Sequence, residues 1–425
     1  MKIAIIGTGI SGNVLAYHLC KDHDITVYEA NDYIGGHTHT HKLDINGRPY
    51  NIDTGFIVFN YNTYPNFTAL LDELNVDTQK SIMSFSVKCE LTGLEYNGNN
   101  LNSLFAQRKN LFRPSFYRMI SDILRFNREA PNIMESRDNI SSLGEYLKTN
   151  KYSQQFIDQY IIPMGSAIWS SSYKQMLNFP AQFFIRFFIN HGLLNVQNRP
   201  QWHVIKGGSK TYLKKLTSSY KQDIRLNSKV LKVNRFPDHV EILTKNNSPE
   251  KYDFVFFACH SDQALSLINN VNTFEYNTLS AFPYQKNEAI LHTDTRLLPK
   301  RKLAWGSWNY HRLNNKEQPV ALTYNMNMLQ GIDSKETFCV TLNNTAAIDE
   351  SKIIKQLEYA HPLFTYRTID AQKKHSQING INRCFYAGAY WRYGFHEDGV
   401  VSALDTLKNF QEQIAYAQQN IRRTG

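Results

Sequence analysis

Three glycines near the start of the chain are spaced for binding a dinucleotide. Gly7, Gly9 and Gly12 follow the short apolar run 2–6, and an apolar helical pattern covers 14–19. When a strand enters a helix through such a turn, backbone N–H groups face a pyrophosphate. The first glycine permits the turn, the second permits the close approach, and the third permits packing of the helix. We therefore predict a dinucleotide site at the start of this helix.

An acidic residue completes this motif. Glu29 ends a second predicted strand seventeen residues after Gly12, where it is placed to accept hydrogen bonds from a ribose diol. A carboxylate at that position repels a ribose 2′-phosphate, since both groups are anions, and NADP is therefore disfavoured. NAD and FAD both remain candidates on the strength of this motif.

A glycine doublet and an Asp-Thr-Gly-Phe segment follow Glu29. With the glycine turn, the doublet Gly35-Gly36 and residues 53–56 resemble the flavin amine oxidase superfamily, which includes monoamine oxidases, protoporphyrinogen oxidases and carotenoid desaturases. The chain is still more similar to a bacterial subgroup of predicted FAD-binding oxidoreductases, over nearly its whole length. The segments shared with that subgroup are 53–60, 163–169 and 394–399. The subgroup is associated with enzymes that modify lipid acyl chains, so the resemblance implies a lipid substrate.

The resemblance implies an α/β fold with two interleaved domains, which also suits a chain of 425 residues. A Rossmann-like FAD-binding domain of the amine-oxidase type is expected from the discontinuous segments 1–75, 201–275 and 376–425. Residues 76–200 and 276–375 are expected to form an α+β substrate domain. A plain NAD dehydrogenase needs no C-terminal return to its nucleotide domain, so FAD is favoured over NAD.

Two later stretches supply the returning pieces of the nucleotide domain. The pattern predicts one strand over 224–233, followed by a hairpin partner, and a continuous buried strand over 252–258. A β-meander without a ligand is the alternative interpretation. The apolar strand 383–388 stops at a glycine, and a helix over 400–410 is predicted to begin near Gly399. The N–H groups at its start would face an anion or the flavin edge.

We expect FAD to be bound without a covalent link, because no cysteine lies in the closing motif. The resemblance places the backbone of Val230 at the adenine, and either Glu397 or Asp398 at the ribityl or pyrophosphate group. No metal site is expected, because the five cysteines are scattered and form no CxxC pair. The expected FAD-binding positions are Gly7, Gly9, Ile10, Ser11, Gly12, Glu29, Ala30, Gly35, Gly36, His37, Thr38, Thr54, Gly55, Phe56, Val230, Gly388, Glu397, Asp398 and Val400.

His396 is the leading candidate for a catalytic side chain, with Tyr390 and Tyr393 beside it. The resemblance places its loop beside the isoalloxazine ring, and an imidazole titrates near neutral pH. A histidine that only braces the loop is the alternative. Amine oxidases of the superfamily carry a tyrosine near the position of Phe395, and Lys286 is the nearest match to their lysine without a clear alignment. Both departures weaken the case for an amine substrate.

Two stretches of the substrate half indicate an apolar or lipid partner. The aromatic run 179–194 suits a tunnel for a long apolar molecule, or else ordinary core. Residues 101–129 mix six cations with apolar side chains, which suits contact with an anionic membrane or else a solvated basic face. The net charge of +10 favours acidic partners, but no nucleic-acid module is evident, and we expect no nucleic-acid partner.

These motifs predict an FAD-dependent oxidoreductase that oxidises or desaturates an apolar substrate such as a lipid acyl chain. The alternatives are a redox-neutral double-bond isomerase, an amine oxidase and a non-catalytic partner protein stabilised by FAD. No second glycine motif offers an internal NAD(P)H site, so electrons come from the substrate or return to it. Without a signal-peptide or membrane-spanning pattern, we expect a cytoplasmic protein that is either soluble or peripheral on the inner face of the membrane. The sequence leaves the oligomeric state open.

Overall fold

The computed structural model describes residues 1–135, 141–245, 248–314 and 320–424. Its strands, numbered along the chain, are β1 (Lys2–Ile6), β2 (Asp24–Tyr28), β3 (Thr40–Ile45), β4 (Arg48–Asp53), β5 (Phe59–Asn60), β6 (Thr78–Lys80), β7 (Phe85–Cys89), β8 (Leu94–Asn97), β9 (Trp202–Ile205), β10 (Ile224–Arg225), β11 (Val230–Arg235), β12 (Val240–Thr244), β13 (Glu250–Tyr252), β14 (Phe254–Phe257), β15 (Tyr284–His292), β16 (Trp308–Arg312), β17 (Ala321–Asn325), β18 (Cys339–Leu342), β19 (Ile353–Pro362) and β20 (Cys384–Tyr386).

The α-helices are numbered in the same way, and short 3-10 turns and one π-helical segment (Ile157–Ile161) lie between them. The helices are α1 (Ile10–Leu19), α2 (Pro65–Glu73), α3 (Leu101–Leu104), α4 (Pro114–Glu129), α5 (Leu143–Thr149), α6 (Gln154–Phe156), α7 (Ile162–Trp169), α8 (Tyr173–Leu177), α9 (Ala181–Asn190), α10 (Lys210–Leu216), α11 (Ser261–Leu267), α12 (Thr273–Leu279), α13 (Met326–Gln330), α14 (Tyr366–Gln372), α15 (His375–Ile378) and α16 (His396–Thr424).

A five-stranded parallel sheet holds the N-terminal glycine turn, in the order β10-β2-β1-β14-β20. Its central strands are unbroken apolar runs, as expected where both faces of a parallel sheet are covered. Ile3, Ala4 and Ile5 are fully buried. Apolar side chains of α1, α10 and α16 pack on one face, and those of the meander β11-β12-β13 and of α11 pack on the other. This arrangement is the predicted α/β fold.

A seven-stranded mixed sheet forms the other half, in the order β19-β15-β18-β17-β16-β7-β8. Neighbouring strands are antiparallel except β16 and β7, which are parallel. Helices from α4 to α9 share one large apolar cluster with it, in which Phe126 and Phe184 on the helices and Leu322 on β17 are fully buried. This half supplies the wall that faces the glycine turn.

A third sheet joins the two sets of predicted domain segments. The five-stranded sheet is built from strands within 1–75, 201–275 and 376–425, and the seven-stranded sheet from strands within 76–200 and 276–375. In the small sheet β5-β9-β6, however, β6 pairs with β9 across that division. The predicted limit between residues 75 and 76 therefore falls inside a packed unit.

Two predicted strands are each divided between two sheets. The run 224–233 is not one strand, because β10 pairs with β2 and the chain then turns before β11 enters the meander. Asn227 occupies that turn at φ 52°. The run 252–258 is likewise divided at Asp253, whose N–H donates to the Lys2 carbonyl at 2.8 Å and whose carboxylate accepts from the Lys2 N–H at 2.7 Å. The polar Asp253 thus divides a segment that the sequence pattern predicts to be one continuous strand.

One predicted helix needs correction in its limit, because α16 begins at His396, one turn before the predicted start near Gly399. The basic stretch 101–129 contains several elements, because Pro114 starts α4 after a separate short helix and a 3-10 turn. Within the aromatic run 179–194, residues 181–190 form α9, in which Phe184 and Phe188 are ordinary core. Among the described residues, no helix is long and apolar enough to cross a bilayer.

Candidate active site

A cavity of about 1510 Å³ lies between the two large sheets. One end is bordered by residues at or just past the carboxyl ends of β1, β2, β14 and β20, where open parallel sheets bind their ligands. The other end is bordered by β7, β16, β17 and β19 of the mixed sheet. Pockets for one small ligand usually span about 300–1,000 Å³. This cavity therefore has room for a dinucleotide together with a substrate.

The glycine turn forms an open cradle on the cavity wall. Gly9 has an ordinary φ of −64°, and a Cβ built on it would meet no atom within 4 Å. Gly7 lies at φ 106°, and a Cβ on Gly12 would sit 2.0 Å from the Gly7 carbonyl oxygen. Close packing therefore requires Gly12, whereas the space beside Gly9 is free for a ligand. An anion there would face the N-terminus of α1, which fits a pyrophosphate.

The start of α16 lies against the start of α1. The Ser11 hydroxyl donates to the Gly399 carbonyl at 2.8 Å, and a Cβ on Gly399 would sit 2.6 Å from Ile10 Cγ2. Ile10 and Ser11 border the cavity, as do the residues that lead into α16. Two helix N-termini, each carrying partial positive charge, are thus brought together at the middle of the cavity.

Glu29 borders the cavity at the end of β2, but its carboxylate is already bonded within the chain. Its Oε1 accepts from the Asn31 N–H and side-chain amide, both at 2.9 Å. Its Oε2 accepts from the Thr8 N–H at 3.1 Å and from the Thr8 hydroxyl. These four bonds fill the capacity of a carboxylate. A ribose diol would have to replace at least one of them.

Most of the predicted positions lie on the cavity wall, and the others lie behind it. Those on the wall are Gly7, Gly9, Ile10, Ser11, Glu29, Ala30, Gly35, Gly36, His37, Gly55, Phe56, Val230, Gly388, Tyr390, Tyr393 and His396. Those that do not border the cavity are Gly12, Thr38, Thr54, Glu397, Asp398 and Val400. The second group acts on the wall through packing or hydrogen bonds.

Glu397 and Asp398, one of which is predicted to contact the cofactor, both have hydrogen-bond partners within the chain. The Glu397 carboxylate caps α2, accepting from the N–H groups of Asn66 at 3.0 Å and Phe67 at 2.8 Å. Asp398 accepts from the Phe395 N–H at 2.9 Å, at the first turn of its own helix. Burial raises the pKa of Asp398 to about 7. Both side chains position α16, and neither borders the cavity in this structure.

His396 is buried on the wall with a fixed orientation. Its Nε2 is 2.7 Å from the hydroxyl of Tyr212, which in turn lies 2.7 Å from the Thr38 hydroxyl. Its ring stacks on Phe56 with centroids 3.7 Å apart. Burial, with a smaller effect of the nearby His37, lowers the pKa of His396 to about 3. The expectation that it titrates near neutral pH is therefore wrong, and the imidazole stays neutral.

A second group of rings completes this part of the wall, in which the predicted His37 meets Tyr359 and His361, two residues that no sequence motif indicated. His37 lies 4.9 Å from Tyr359 and 5.3 Å from His361 between ring centroids. Tyr359 and His361 point to the same side of β19 because strand side chains alternate. The buried His37 Nε2 has no hydrogen-bond partner among the described residues. An unpaired buried nitrogen on a cavity wall fits a bound ligand, here a cofactor.

Hydrogen bonds run from this group toward the protein surface. The Tyr359 hydroxyl is 2.9 Å from the Thr54 hydroxyl and 3.2 Å from His39 Nδ1. Thr54 is also 3.1 Å from Nε2 of the half-buried His41. Thr54, although behind the wall, thereby holds Tyr359 in place.

The far end of the cavity is apolar and aromatic. Phe187 stacks on Phe395 with centroids 5.0 Å apart, and the Trp169 indole donates to the Tyr393 carbonyl at 3.3 Å. Further apolar residues on this wall are Met164, Ile168, Trp308, Tyr324 and Phe364. Of the run 179–194, Phe187 and residues 191–193 border the cavity, whereas Phe184 and Phe188 do not. Tyr390, the other predicted tyrosine, is buried against Phe282 and Trp391.

Charged side chains are nearly absent from the interior of this wall. Among the described residues that border the cavity, the buried charged one is Glu29, at the nucleotide-binding end. Lys286, the nearest match to the lysine of amine oxidases, is 77% exposed and pairs with Glu358 at 3.0 Å. It therefore lies at the rim and away from the buried rings.

The profile of the family of flavin-containing amine oxidoreductases matches residues 10–326 of this chain. The chain belongs to that family. It is a flavin-dependent oxidoreductase, and the match begins at the start of α1 and covers the meander and much of the mixed sheet. No curated protein matches the chain significantly.

Solved structures share this fold at low sequence identity. Cyclohexylamine oxidase from Brevibacterium oxydans IH-35A has a TM-score of 0.69 at 13% identity, covering 97% of this chain and 99% of its own. The CLA-producing fatty acid isomerase from P. acnes has a TM-score of 0.62 at 15% identity, covering 96% and 98%. Reduced UDP-galactopyranose mutase has a TM-score of 0.67 at 14% identity, covering 97% and 96%. These enzymes differ in their reactions, so the likeness shows the fold alone.

Proposed function

We propose that the protein binds FAD non-covalently and oxidises or desaturates an apolar substrate such as a lipid acyl chain. The supporting observation is the division of the cavity wall. The end that borders the glycine turn offers helix N-termini and Glu29, whereas the other end is lined by aromatic and aliphatic side chains. A cationic amine would meet no buried carboxylate among the described residues at that apolar end, and its desolvation would go uncompensated.

The glycine turn and the cavity wall beside it indicate which residues are suited to hold FAD. The N-terminus of α1 beside Gly9 suits the pyrophosphate, Ala30 and Val230 border the adenosine end, and Gly36 and Phe56 border the middle. When bound, the flavin accepts a hydride from a C–H bond of the substrate. No described cysteine lies between Gly388 and Gly399, so nothing in that loop offers a thioether link.

The remaining steps fall to the side chains around the middle of the cavity. His396, held by Tyr212 and stacked on Phe56, presents a neutral imidazole that orients what lies beside it. The aromatic wall excludes water, which protects a hydride transfer from side reactions. We also propose a cytoplasmic location, because all five cysteines are free.

Colour and extraction test the cofactor, and lipid analysis tests the substrate. The purified protein is expected to be yellow and to release intact FAD on heating. Mass spectrometry of membrane lipids with and without the gene should show acyl chains that differ by one double bond. Flavin that stays attached to the denatured chain would contradict non-covalent binding, and unchanged lipids would remove the lipid substrate.

A redox-neutral double-bond isomerase is the second candidate. It is favoured by the single dinucleotide motif, which leaves no internal NAD(P)H site, and by the shared fold with a fatty acid isomerase. Anaerobic mixing with an unsaturated fatty acid separates the two. Lasting flavin bleaching supports net oxidation, whereas product formed without lasting bleaching supports isomerisation. Flavin bleaching by a primary amine and not by the fatty acid would instead support an amine oxidase activity.

A further inference from the structure

Residues between β8 and the first turn of α4 expose large apolar side chains to water. Phe112 is 86% exposed, Leu101 75%, Tyr117 47% and Leu111 42%. Single exposed apolar side chains are common on protein surfaces. Four exposed apolar side chains within one short segment form a patch, and such patches mark surfaces that bind a membrane or another molecule.

The same segment carries cations and no acidic residue. Arg108, Lys109 and Arg118 are exposed and Arg113 is half-buried, while the sequence from 101 to 121 contains no Asp or Glu. The local potential is therefore positive, in a chain whose net charge is already +10. A second copy of this chain presenting the same face would be repelled. An anionic partner complements it.

Local hydrogen bonds hold these exposed groups in place. Asn100 and Ser103 form a reciprocal cap at the start of α3. The Arg108 guanidinium donates to the Phe105 carbonyl at 3.0 Å, and the Tyr117 hydroxyl donates to the Leu111 carbonyl at 3.1 Å. The exposure of the apolar side chains is thus a property of a folded segment.

This segment adjoins a mouth of the cavity. Asn99, two residues before Leu101, borders the cavity, and so does Ile82, which is 55% exposed. α3 also contacts the 3-10 turn Lys302–Ala304, in which Leu303 is 43% exposed. The segment therefore starts at the wall of the cavity, and exposed apolar side chains lie on that wall at Ile82 and on the turn that α3 contacts.

We propose that this surface, the basic apolar face, binds an anionic phospholipid bilayer. The basic apolar face consists of Leu101, Arg108, Lys109, Leu111, Phe112, Arg113, Tyr117 and Arg118. The apolar side chains enter the lipid interface while the cations contact lipid head groups. Because no described helix spans a bilayer, the contact is at its surface. Passage of an acyl chain from the bilayer into the cavity rests on the proposed function, whereas the binding does not.

Vesicle sedimentation of the flavin-loaded protein tests this proposal. We expect binding to vesicles that contain phosphatidylglycerol, little binding to phosphatidylcholine alone, and release as salt rises, because salt screens surface charge. Replacing Arg108, Lys109, Arg113 and Arg118 with Gln should lower the partition coefficient at least about a hundredfold, from the attraction typical of four cations near an anionic surface. Flavin content and the melting temperature show whether this variant is folded.

Two further variants keep the test decisive. Phe112→Ser, at a side chain with few packing contacts to lose, should lower the partition coefficient roughly tenfold or more while leaving flavin content unchanged. A matched control replaces the same number of exposed cations elsewhere, Lys42, Arg48, Lys221 and Lys251, with Gln. Control binding should fall much less than in the first variant.

Several outcomes would overturn the proposal. Equal binding to neutral and anionic vesicles would overturn it. An equal loss of vesicle binding in the control variant, or no vesicle binding by the wild type, would overturn it as well. Self-association of the free protein that Phe112→Ser abolishes would assign the face to a second copy. Binding of an oligonucleotide at salt where anionic vesicles do not bind would assign it to nucleic acid. Lipid binding with unchanged cellular lipids would contradict the proposed substrate and leave the basic apolar face supported.

Discussion

Gly9 and Gly12 belong to the same turn but differ in what a side chain would meet. A Cβ at Gly12 collides with the Gly7 carbonyl, whereas a Cβ at Gly9 enters open space at an ordinary φ. A substitution at Gly12 therefore tests the fold. A substitution at Gly9 tests the ligand that the cavity receives.

Gly9→Asp should fold normally and purify without flavin. Its carboxylate would face the space where the N-terminus of α1 suits a pyrophosphate, and two anions repel each other. Gly9→Ala, the matched control, adds a Cβ without charge and should keep most of its flavin. The ratio of flavin to protein absorbance measures the effect, and circular dichroism reports the fold. Full flavin content in the Asp variant would refute the placement of the pyrophosphate.

His396 is best described as a positioning residue with a neutral ring. His396→Ala should retain FAD but slow single-turnover flavin reduction by roughly 10², the scale of a misplaced reacting group. Tyr212→Phe removes the hydrogen bond to Nε2 and keeps the His396 ring, so it should have a smaller effect. Because the pKa of His396 is lowered to about 3, the wild-type rate should show no titration of this histidine between pH 5.5 and 8.

A different pattern would assign His396 a bracing role only. In that case His396→Ala would lose flavin affinity and thermal stability together, while the fully loaded variant would keep the wild-type rate of flavin reduction. A wild-type rate that titrates near pH 6.5, and loses that titration in the Ala variant, would restore an acid–base role.

At the level of elements, the start of α16 shows that one sequence pattern is compatible with two different roles. Acidic residues before an apolar run predict either a ligand contact or a helix start. In the structure Glu397 caps α2 and Asp398 accepts from the Phe395 N–H in the first turn of α16, as expected of a helix start, while the cofactor contact stays a prediction. For Glu397 no local signal reveals the partners, because Asn66 and Phe67 lie more than three hundred positions away in the sequence.

Asp398→Asn should change the pH dependence of stability in a defined direction. The folded pKa of Asp398 is raised from 3.8 to about 7, so its stabilising contribution is full below about pH 4 and is lost as the pH rises toward 7. The free energy of unfolding of the Asn variant should therefore rise relative to wild type across this range, by up to about 4 kcal/mol. Denaturant titrations at several pH values measure the difference.

An exposed carboxylate on the same helix supplies the control for this measurement. Asp405→Asn, at an exposed carboxylate on α16, is the matched control, and the rise predicted for Asp398→Asn should exceed any change that this control shows. A constant difference for Asp398→Asn would mean that burial does not perturb this carboxyl group.

The strands show where a local pattern is sufficient and where it is not. β1, β2 and the glycine turn are predictable because apolar runs and glycine spacing are local signals. The division of 252–258 between two sheets is not, because it depends on hydrogen bonds between Asp253 and the distant Lys2. The chain thus passes from the meander to the parallel sheet at Asp253, and the apolar periodicity of the sequence does not predict this change.

At the level of the whole molecule, the cavity is assembled from residues that no local motif connects. The glycine motifs predict one end of it. Tyr359 and His361 reach the wall from β19, where their only signal is alternation along a strand. Their importance comes from contact with His37, which is set by the packing of the two sheets. A single sequence therefore predicts the nucleotide end better than the substrate end.

The same packing lines the cavity with histidines, among them the buried His396 and the half-buried His37, His260 and His361. Burial lowers the pKa of His37 and His260 to about 4, and that of His361 and His396 to about 3. A histidine whose folded pKa lies below its unfolded value of 6.5 stabilises the fold fully above pH 6.5. That contribution is lost as the pH falls toward the folded pKa, because the unfolded chain then binds more protons. Asp53 and Asp398, with raised pKa values, act in the opposite direction.

Acidification from pH 6.5 to 4.5 should therefore release the flavin and lower the free energy of unfolding. Each neutral histidine contributes as much as about 1.4 kcal/mol per pH unit, so four of them outweigh the two carboxyl groups. The double variant His37→Asn with His361→Asn removes two titrating groups and should move the midpoint of flavin release to lower pH. His239→Gln, away from the cavity, should leave it unchanged. Flavin fluorescence follows release directly, and equal midpoints in wild type and the double variant would show that these histidines do not control acid stability.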